Sequence, residues 1–217
     1  MTSVFQLSAI EKDRLKEFLN IGVSHASTTL SRMMKKRVGI SVPLLEIKDA
    51  QTISTSILNP DDISVAVLLR LSGALDGYVL LLLPRSAALS LLKSLSDKTI
   101  GDLRALDKFD RSLFQEVGNV LTGGMLQGLS RFLNVKILHS VPDVVIDMGG
   151  AMINSISAAM IASHSEFLSL DVAICVDATA NAITCVDGEE AVGRMFLFIG
   201  PSAAESILNL TLTMVKQ

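Results

Sequence analysis

The sequence predicts an α+β fold of two layers, in which long helices pack on a largely antiparallel sheet and a pseudo-two-fold axis relates two halves. Three observations predict it. A spaced set of polar residues occurs twice, 99 residues apart. Long segments with helical periodicity alternate with β-rich apolar runs. Of the 217 residues, 49% are hydrophobic and only 19% are charged, which is typical of a folded core.

The first half begins with a predicted helix. Ser8 and Glu11 have the spacing of a capping box, and apolar residues follow at three- and four-residue steps to about Met34. Residues 37–47 read as a strand that contains Pro43. Because proline cannot donate a backbone hydrogen bond, this strand is expected at an edge of the sheet or with a bulge.

Two apolar runs follow, residues 63–71 and 77–83, and the short loop between them contains Gly and Asp, so we predict a hairpin. Residues 84–96 are predicted to form a helix. The polar residues 98–106 then connect the two halves.

The second half repeats this order. The predicted elements are a helix over 106–133, a strand over 135–146 that contains Pro142, a helix over 149–163, strands over 167–176, 182–186 and 191–199, and a last helix from about 200 to 215. Segment 77–87 also corresponds to 193–203. We therefore predict one domain over 1–217, built from two repeats at about 8–98 and 106–217.

The repeated polar set combines an acidic or hydroxyl residue, a glutamate, an asparagine and a distant proline. Its members are Asp13, Glu17, Asn20 and Pro43, and again Ser112, Glu116, Asn119 and Pro142. The first three lie at i, i+4 and i+7, which is one stripe of a helix, and the apolar positions point elsewhere. A single Glu-x-x-Asn is usually a solvated helix face. Duplication with the same 22-residue gap before proline favours a functional site, and the prolines are interpreted as structural.

Several function classes are disfavoured by composition. The net charge is −3, the longest basic block is Lys35-Lys36-Arg37, and there is no tryptophan, so we expect no nucleic-acid partner. The N-terminal segment does not read as a signal peptide, and no apolar stretch is long and charge-free enough to span a bilayer. We therefore expect a soluble, cytoplasmic protein without membrane insertion.

No motif for a metal or a cofactor is visible. The three histidines, His25, His139 and His164, have no metal-ligand spacing, and no nucleophile–base set or P-loop is recognisable. Gly22 and the pair Gly123-Gly124 fit helix packing better than phosphate binding. We expect no metal and no cofactor of the protein's own.

A carboxylate and a carboxamide one helical turn apart suit a supporting role at another molecule's reactive group. Neither is a good nucleophile, but Asn can orient a water and Glu can pair with a cation. Phosphoryl transfer needs mainly positioning and charge neutralisation.

The pattern Asp/Ser-x3-Glu-x2-Asn-x22-Pro resembles the signature of the CheC/CheX/FliY phosphatases of bacterial and archaeal chemotaxis. The resemblance covers essentially the whole chain, and the segment from Glu116 to Gly124 is similar to a second CheC motif. The presence of two motifs makes the chain similar to CheC and not to CheX, which typically has one. We expect no additional flagellar-switch domain, in contrast to FliY.

The resemblance implies a hydrolase that dephosphorylates a CheY-type response regulator in two-component signalling. Asn20 and Asn119 would orient the attacking water, and Glu17 and Glu116 would pair with a lysine of the regulator. The acyl phosphate and its Mg²⁺ would be held by the regulator. The resemblance also implies CheD as a possible partner, and segment 149–163 is the candidate contact.

The first copy departs from the pattern of the second. It reads Glu17-Phe-Leu-Asn20, without the glycine that precedes Asn119. We expect Leu19 to add bulk beside Asn20 and to make the first site the weaker one. Two other functions stay open: a non-catalytic adaptor that binds CheD or a receiver domain, and a structural component of the flagellar switch.

Overall fold

The computed structural model describes residues 9–49, 60–96, 98–161, 166–176 and 190–199. The helices are α1 (Ala9–Met34), α2 (Arg85–Ser96), α3 (Lys108–Leu133) and α4 (Gly149–Ile161). The strands are β1 (Val38–Asp49), β2 (Ile63–Gly73), β3 (Gly77–Pro84), β4 (Ile137–His139), β5 (Asp143–Met148), β6 (Glu166–Val176) and β7 (Glu190–Ile199). The capping residue Ser8, the strand expected over 182–186 and the helix expected from about 200 lie outside the described residues.

The strands form one antiparallel sheet whose order mirrors the duplication of the sequence. The order is β1-β6-β7-β3-β2-β4, and β5 also pairs with β2. The central strands β3 and β7 thus come from different halves. Outward from the centre, β3 is followed by β2 and then β4, and β7 is followed by β6 and then β1. Leu80 lies opposite Phe196, which is its own counterpart 116 residues later. A pseudo-two-fold axis through this pair and the helix-on-sheet architecture confirm the predicted fold class.

Both prolines of the repeated motif interrupt strand pairing. In β1, which pairs only with β6 among the described strands, the register shifts between Ser41 and Leu44, around Pro43. The predicted edge position with a bulge is therefore confirmed. In the second half the prediction of one strand over 135–146 is wrong, because β4 and β5 are separate strands with Pro142 between them. A residue without an N–H cannot continue the ladder.

The sheet has apolar residues on both faces because side chains alternate along each strand. On one face Val79, Leu81 and Leu83 of β3 join the main core, which is completed by buried residues of α1, α2 and α3. On the other face Leu80 and Leu82 pack with Met152 and Ile153 of α4 and with Phe196 and Phe198. The repeated polar motif lies on the two long helices of the first face.

Helices α1 and α3 are in backbone contact at glycines. A Cβ atom on Gly22 would lie 1.9 Å from the carbonyl oxygen of Gly124, and one on Gly124 would lie 2.6 Å from the carbonyl oxygen of Gly22. Gly22 of α1 lies next to Gly124 and Gly128 of α3, whereas Ala26, one turn later on α1, lies next to the earlier residue Gly124. The helices are therefore antiparallel. The packing role expected for Gly22 and Gly124 is confirmed, whereas that expected for Gly123 is wrong, because a Cβ there would meet only His139 Nε2 at 3.9 Å.

Replacing Gly22 by alanine should separate the two helices and destabilise the fold. Alanine favours a helix, but a methyl group 1.9 Å from a backbone oxygen cannot be accommodated without movement of α3. We expect Gly22→Ala to lower the free energy of unfolding by about 1–3 kcal/mol, measured by urea denaturation. The control is Gly123→Ala, whose Cβ would meet only His139 Nε2 at 3.9 Å, and which should leave stability unchanged or raise it by up to about 1 kcal/mol. Equal stability of the two variants would contradict the packing argument.

Candidate functional site

The two predicted stripes lie on the solvent side of their helices. On α3 Ser112 and Glu116 are exposed and Asn119 is half-buried. On α1 the equivalent Asp13 and Glu17 are exposed and Asn20 is half-buried. The same graded exposure at the same offset follows from the shared helical spacing, because the Asn position is the one closest to the packed face.

The carboxylates and amides of the stripes are free to contact another molecule. Within the described part of the chain, no hydrogen bond or ion pair involves the side chains of Glu17, Asn20, Glu116 or Asn119. The Ser112 hydroxyl differs, since it donates to the Phe109 carbonyl oxygen one turn earlier at 2.7 Å. The Glu and Asn side chains are therefore available to form hydrogen bonds with another molecule.

The antiparallel crossing separates the two stripes. Asn20 lies six residues before Ala26, and Asn119 lies five residues before Gly124, where the helices meet. With a rise of 1.5 Å per residue, the two asparagine positions are about 16 Å apart along the helix axes when counted through the Ala26–Gly124 contact, and about 10 Å apart when counted through the closer Gly22–Gly124 contact. The structure thus presents two separate Glu/Asn pairs and does not merge them into one site.

The residue before each Asn points into the protein, so the expectation about Leu19 is wrong. Leu19 is only 1% exposed and belongs to the core, so it adds no bulk beside Asn20 on the surface. Its counterpart Gly118 is also buried, and a Cβ there would lie 2.5 Å from Val67 Cγ1 of β2. The difference between leucine and glycine therefore reflects how closely each helix approaches the sheet. It does not reflect access to the site.

The turn at Pro142 is tied to the helix that carries the second stripe. The Nε2 atom of Gln115 donates to the Pro142 carbonyl oxygen at 3.0 Å, and Pro142 is buried. On the other side of the turn, Ser140 exchanges hydrogen bonds with the backbone of Arg70 on β2. The turn that contains Pro142 is thus hydrogen-bonded to both α3 and β2. This supports a structural role for the proline.

The start of α3 is held by an ionic network that sequence reasoning missed. Asp107 and Asp110 form a reciprocal capping box, with each carboxylate accepting from the other residue's backbone N–H. Lys98 Nζ lies 2.9 Å from Asp107 Oδ2 and 2.9 Å from Asp110 Oδ1, and Asp110 is buried. The sequence signal for this capping box was the acidic residue Asp107 followed three residues later by Asp110.

The network also shifts two pKa values. The backbone N–H of Asp110 and then the hydrogen bond from Lys98 lower the pKa of Asp107 below 3.8. The hydrogen bonds to Asp110 and then to Asp107 raise the pKa of Lys98 above 10.5. Both shifts favour the charged forms, so the network is intact at neutral pH.

Two other features were searched for in the described residues. No group of three or more His, Cys, Asp or Glu side chains in the described ranges is arranged to hold a metal ion. None of the helices that the structure describes is both long and apolar enough to cross a membrane.

The fold and the stripes define a class: internally duplicated α+β proteins that present a Glu/Asn pair on each of two antiparallel helices. The sequence model of the CheC-like family matches the chain twice, at residues 10–47 and 109–146. These segments contain both copies of the motif, from the stripe to beyond the proline. Each repeat therefore contains a segment that matches the CheC-like family model, and the predicted resemblance to the CheC family is confirmed.

Individual proteins are also similar to this chain. The chain is 26% identical over 146 residues to the CheY-P phosphatase CheC of Bacillus subtilis, which is 66% of this chain and 70% of that protein. The crystal structure of Thermotoga maritima FliY superposes with a TM-score of 0.69 at 17% identity, covering 96% of this chain and 99% of that one. A structure of the FliG–FliM complex from H. pylori gives 0.63 at 12% identity, covering 94% and 100%. The structural matches, at these identities, show a shared fold.

Removal of the Gln115 amide should loosen the turn at Pro142. Gln115→Ala deletes a partly buried hydrogen bond and leaves a carbonyl oxygen without its donor. We expect a loss of about 0.5–1.5 kcal/mol in the free energy of unfolding, measured by urea denaturation. Gln127→Ala is the matched control, because Gln127 is an exposed glutamine of the same helix. If both variants lose the same stability, the tether at Pro142 is not the cause.

Replacement of Lys98 should destabilise the protein in a limited pH window. The lowered pKa of Asp107 gives stability that is present above pH 3.8 and is lost as the pH falls through the folded value. The raised pKa of Lys98 gives stability that is present below pH 10.5 and is lost as the pH rises through the folded value. Lys98→Met should therefore lower the urea midpoint most between these limits and less outside them.

The control for this variant is Lys108→Met, which removes an exposed lysine from the first turn of α3. It should leave the midpoint nearly unchanged across the pH range. A deficit of Lys98→Met that stays constant with pH would show that lost packing of the lysine stem, and not the ionic network, is responsible.

Proposed function

We propose that the protein is a hydrolase that removes the phosphoryl group from the aspartyl phosphate of a CheY-type response regulator. One observation carries the proposal. Each long helix presents a glutamate and an asparagine one turn apart, exposed or half-buried and without partners among the described residues. The CheC-like match covers both copies, and a relative at 26% identity is a CheY-P phosphatase.

The asparagines are assigned the water-orienting role. In each docked complex the amide oxygen of Asn119 or Asn20 accepts a hydrogen bond from a water and holds it in line with the scissile bond. The water oxygen attacks phosphorus, and the bond between phosphorus and the regulator's carboxylate oxygen breaks. Inorganic phosphate leaves and the regulator's carboxylate is regenerated. No nucleophile of this protein is needed, since the phosphoryl group is already activated as an acyl phosphate.

The glutamates are assigned the pairing role. Glu116 and Glu17 are exposed, so each is available for a charged hydrogen bond with a lysine of the regulator next to the phosphoryl group. Such a pair fixes the orientation of the docked helix relative to the phosphate. Mg²⁺ bound by the regulator neutralises charge on the phosphoryl oxygens, and this protein is assigned no metal or cofactor of its own.

Half-burial of the asparagines supports this assignment. A side chain that is packed along part of its length has fewer accessible rotamers than a fully exposed one, so less freedom is lost when it enters a partner's active site. The two asparagine positions are about 10–16 Å apart along the helix axes, so each site is expected to work without the other. Since Leu19 is buried, it gives no reason to rank Asn20 below Asn119.

The adaptor and flagellar-switch functions are the alternatives. FliY and FliM share the fold, but at identities that show the fold alone. An adaptor for a receiver domain or for CheD needs no water-orienting amide, and this chain has one on each stripe. If CheD binds at α4, the exposed residues Asn154, Ser155 and Ala158 are the accessible side, because Met152 and Ile153 are buried against the sheet.

Loss of both amides should abolish catalysis while the fold remains. We expect Asn20→Ala/Asn119→Ala to slow phosphate release from a phosphorylated CheY-type receiver domain by about 100-fold or more, because the water loses its positioning group. Each single variant should keep the activity of the remaining site. The readout is the rate of phosphate release with Mg²⁺ present.

Asn154→Ala is the matched control, since it removes an exposed asparagine from α4, and it should leave the rate unchanged. Urea denaturation should give the same midpoint for all variants. An unchanged rate in the double variant would overturn the proposal. Tight binding of the phosphorylated receiver by the unaltered protein without turnover would favour the adaptor.

A further inference from the structure

A large exposed apolar side chain precedes the stripe at the same place in both halves. Phe109 on α3 is 56% exposed, and Ile10 on α1, 99 residues earlier, is 68% exposed. Among the exposed apolar residues whose counterparts have a described exposure, the others do not recur in this way. The counterpart of Met33 is the buried Phe132, and the counterpart of Leu138 is Gly39. Phe109 and Ile10 therefore differ from those other residues, because both members of the repeated pair are exposed.

These two residues extend the stripes by one helical turn. Phe109, Ser112, Glu116 and Asn119 follow three-, four- and three-residue steps, which keeps them on one face of α3. Ile10, Asp13, Glu17 and Asn20 do the same on α1. Each site is thus an apolar residue, a polar residue, a carboxylate and an amide in the same order along a helix.

The Phe109 ring is held in place although it is not part of the core. Lys98 Nζ lies 5.4 Å from the ring centroid, in a cation–π contact, and the same ammonium is bound at 2.9 Å by Asp107 and by Asp110. The ammonium covers part of the ring and leaves more than half of the residue in solvent. An aromatic side chain that is already ordered loses little entropy when a partner covers it.

The spacing identifies the kind of partner that this residue fits. Phe109 and Asn119 are ten residues apart, which is about 15 Å along the helix. A small acyl phosphate at Asn119 does not reach Phe109, whereas a folded receiver domain does. A single well-buried aromatic side chain is the usual centre of binding energy in a protein–protein contact.

We propose that Phe109 at the second site, and Ile10 at the first, are apolar anchors on which the receiver domain docks beside its phosphorylated aspartate. The inference rests on the proposed function, because it names the docking residues of that same site. Phe109 has the larger apolar surface and is held by Lys98, so the second site binds the receiver more tightly than the first. The inequality of the two sites then comes from residues 109 and 10, not from Leu19.

The test isolates each site in the full chain. In the Asn20→Ala background only the second site turns over, and Phe109→Ala should raise KM for the phosphorylated receiver by about fivefold or more, with kcat changed less than twofold. Phe109→Leu should restore most of the affinity, because an apolar surface of similar size returns. In the Asn119→Ala background Phe109→Ala should have no effect, and Ile10→Ala should raise KM.

Leu138→Ala is the matched control, since Leu138 is 50% exposed on β4 and lies on neither stripe; it should leave KM unchanged. A parallel measurement separates docking from catalysis: the Kd for a receiver domain loaded with beryllium fluoride and Mg²⁺, a stable mimic of the acyl phosphate. Because the receiver binds at both sites, the readout is the Kd of the tighter of the two binding events, and Phe109→Ala should raise it by the same factor as KM.

The outcomes distinguish the two proposals. If the receiver binds without turnover and Phe109→Ala still raises Kd, the anchor stands and the phosphatase activity falls. If KM and Kd are unchanged in Phe109→Ala, or Leu138→Ala raises them equally, the anchor is overturned and the phosphatase proposal is unaffected. If the loaded receiver does not bind the unaltered protein, both are overturned.

Discussion

The close contact between α1 and α3 at Gly22 and Gly124 is the constraint on which the site depends. Only glycine allows one helix backbone to approach the carbonyl oxygen of the other this closely. The contact places two antiparallel helices side by side on one face of the sheet. Their remaining polar faces therefore point to solvent, and the Asn residues lie about 10–16 Å apart along the axes. The duplication yields two separate Glu/Asn surfaces because of this geometry.

Packing against the sheet decides which positions of each helix are available to a partner. Leu19 and Gly118 occupy equivalent places and differ greatly in size, yet both are buried. Gly118 lets α3 approach Val67, whereas Leu19 contributes its own side chain to the core. The adjacent asparagines keep the same half-buried position in both copies. The chemistry of the stripe is thus preserved while the packing beneath it varies.

The second stripe is supported at both ends by contacts between segments that are distant in the chain. Lys98 bridges Asp107 and the buried Asp110 at the start of α3 and also makes a cation–π contact with the Phe109 ring. Further along, Gln115 binds the turn at Pro142. These contacts fix the start of α3 and its middle to other parts of the fold, which is the kind of support that the water-orienting role proposed for Asn119 requires.

The amino-acid sequence by itself determined the elements that depend on local periodicity and on the repeat. Spacing predicted the long helices, the hairpin, the exposure of Glu17 and Glu116, and the interruption of strand pairing at Pro43. Tertiary structure decided the separation of β4 from β5, the inward direction of Leu19, the contact of Gly22 with Gly124 and the cation–π contact of Lys98 with Phe109. Each of these depends on which surfaces meet after folding, and residues that are distant in sequence supply those surfaces, so local pattern does not encode them.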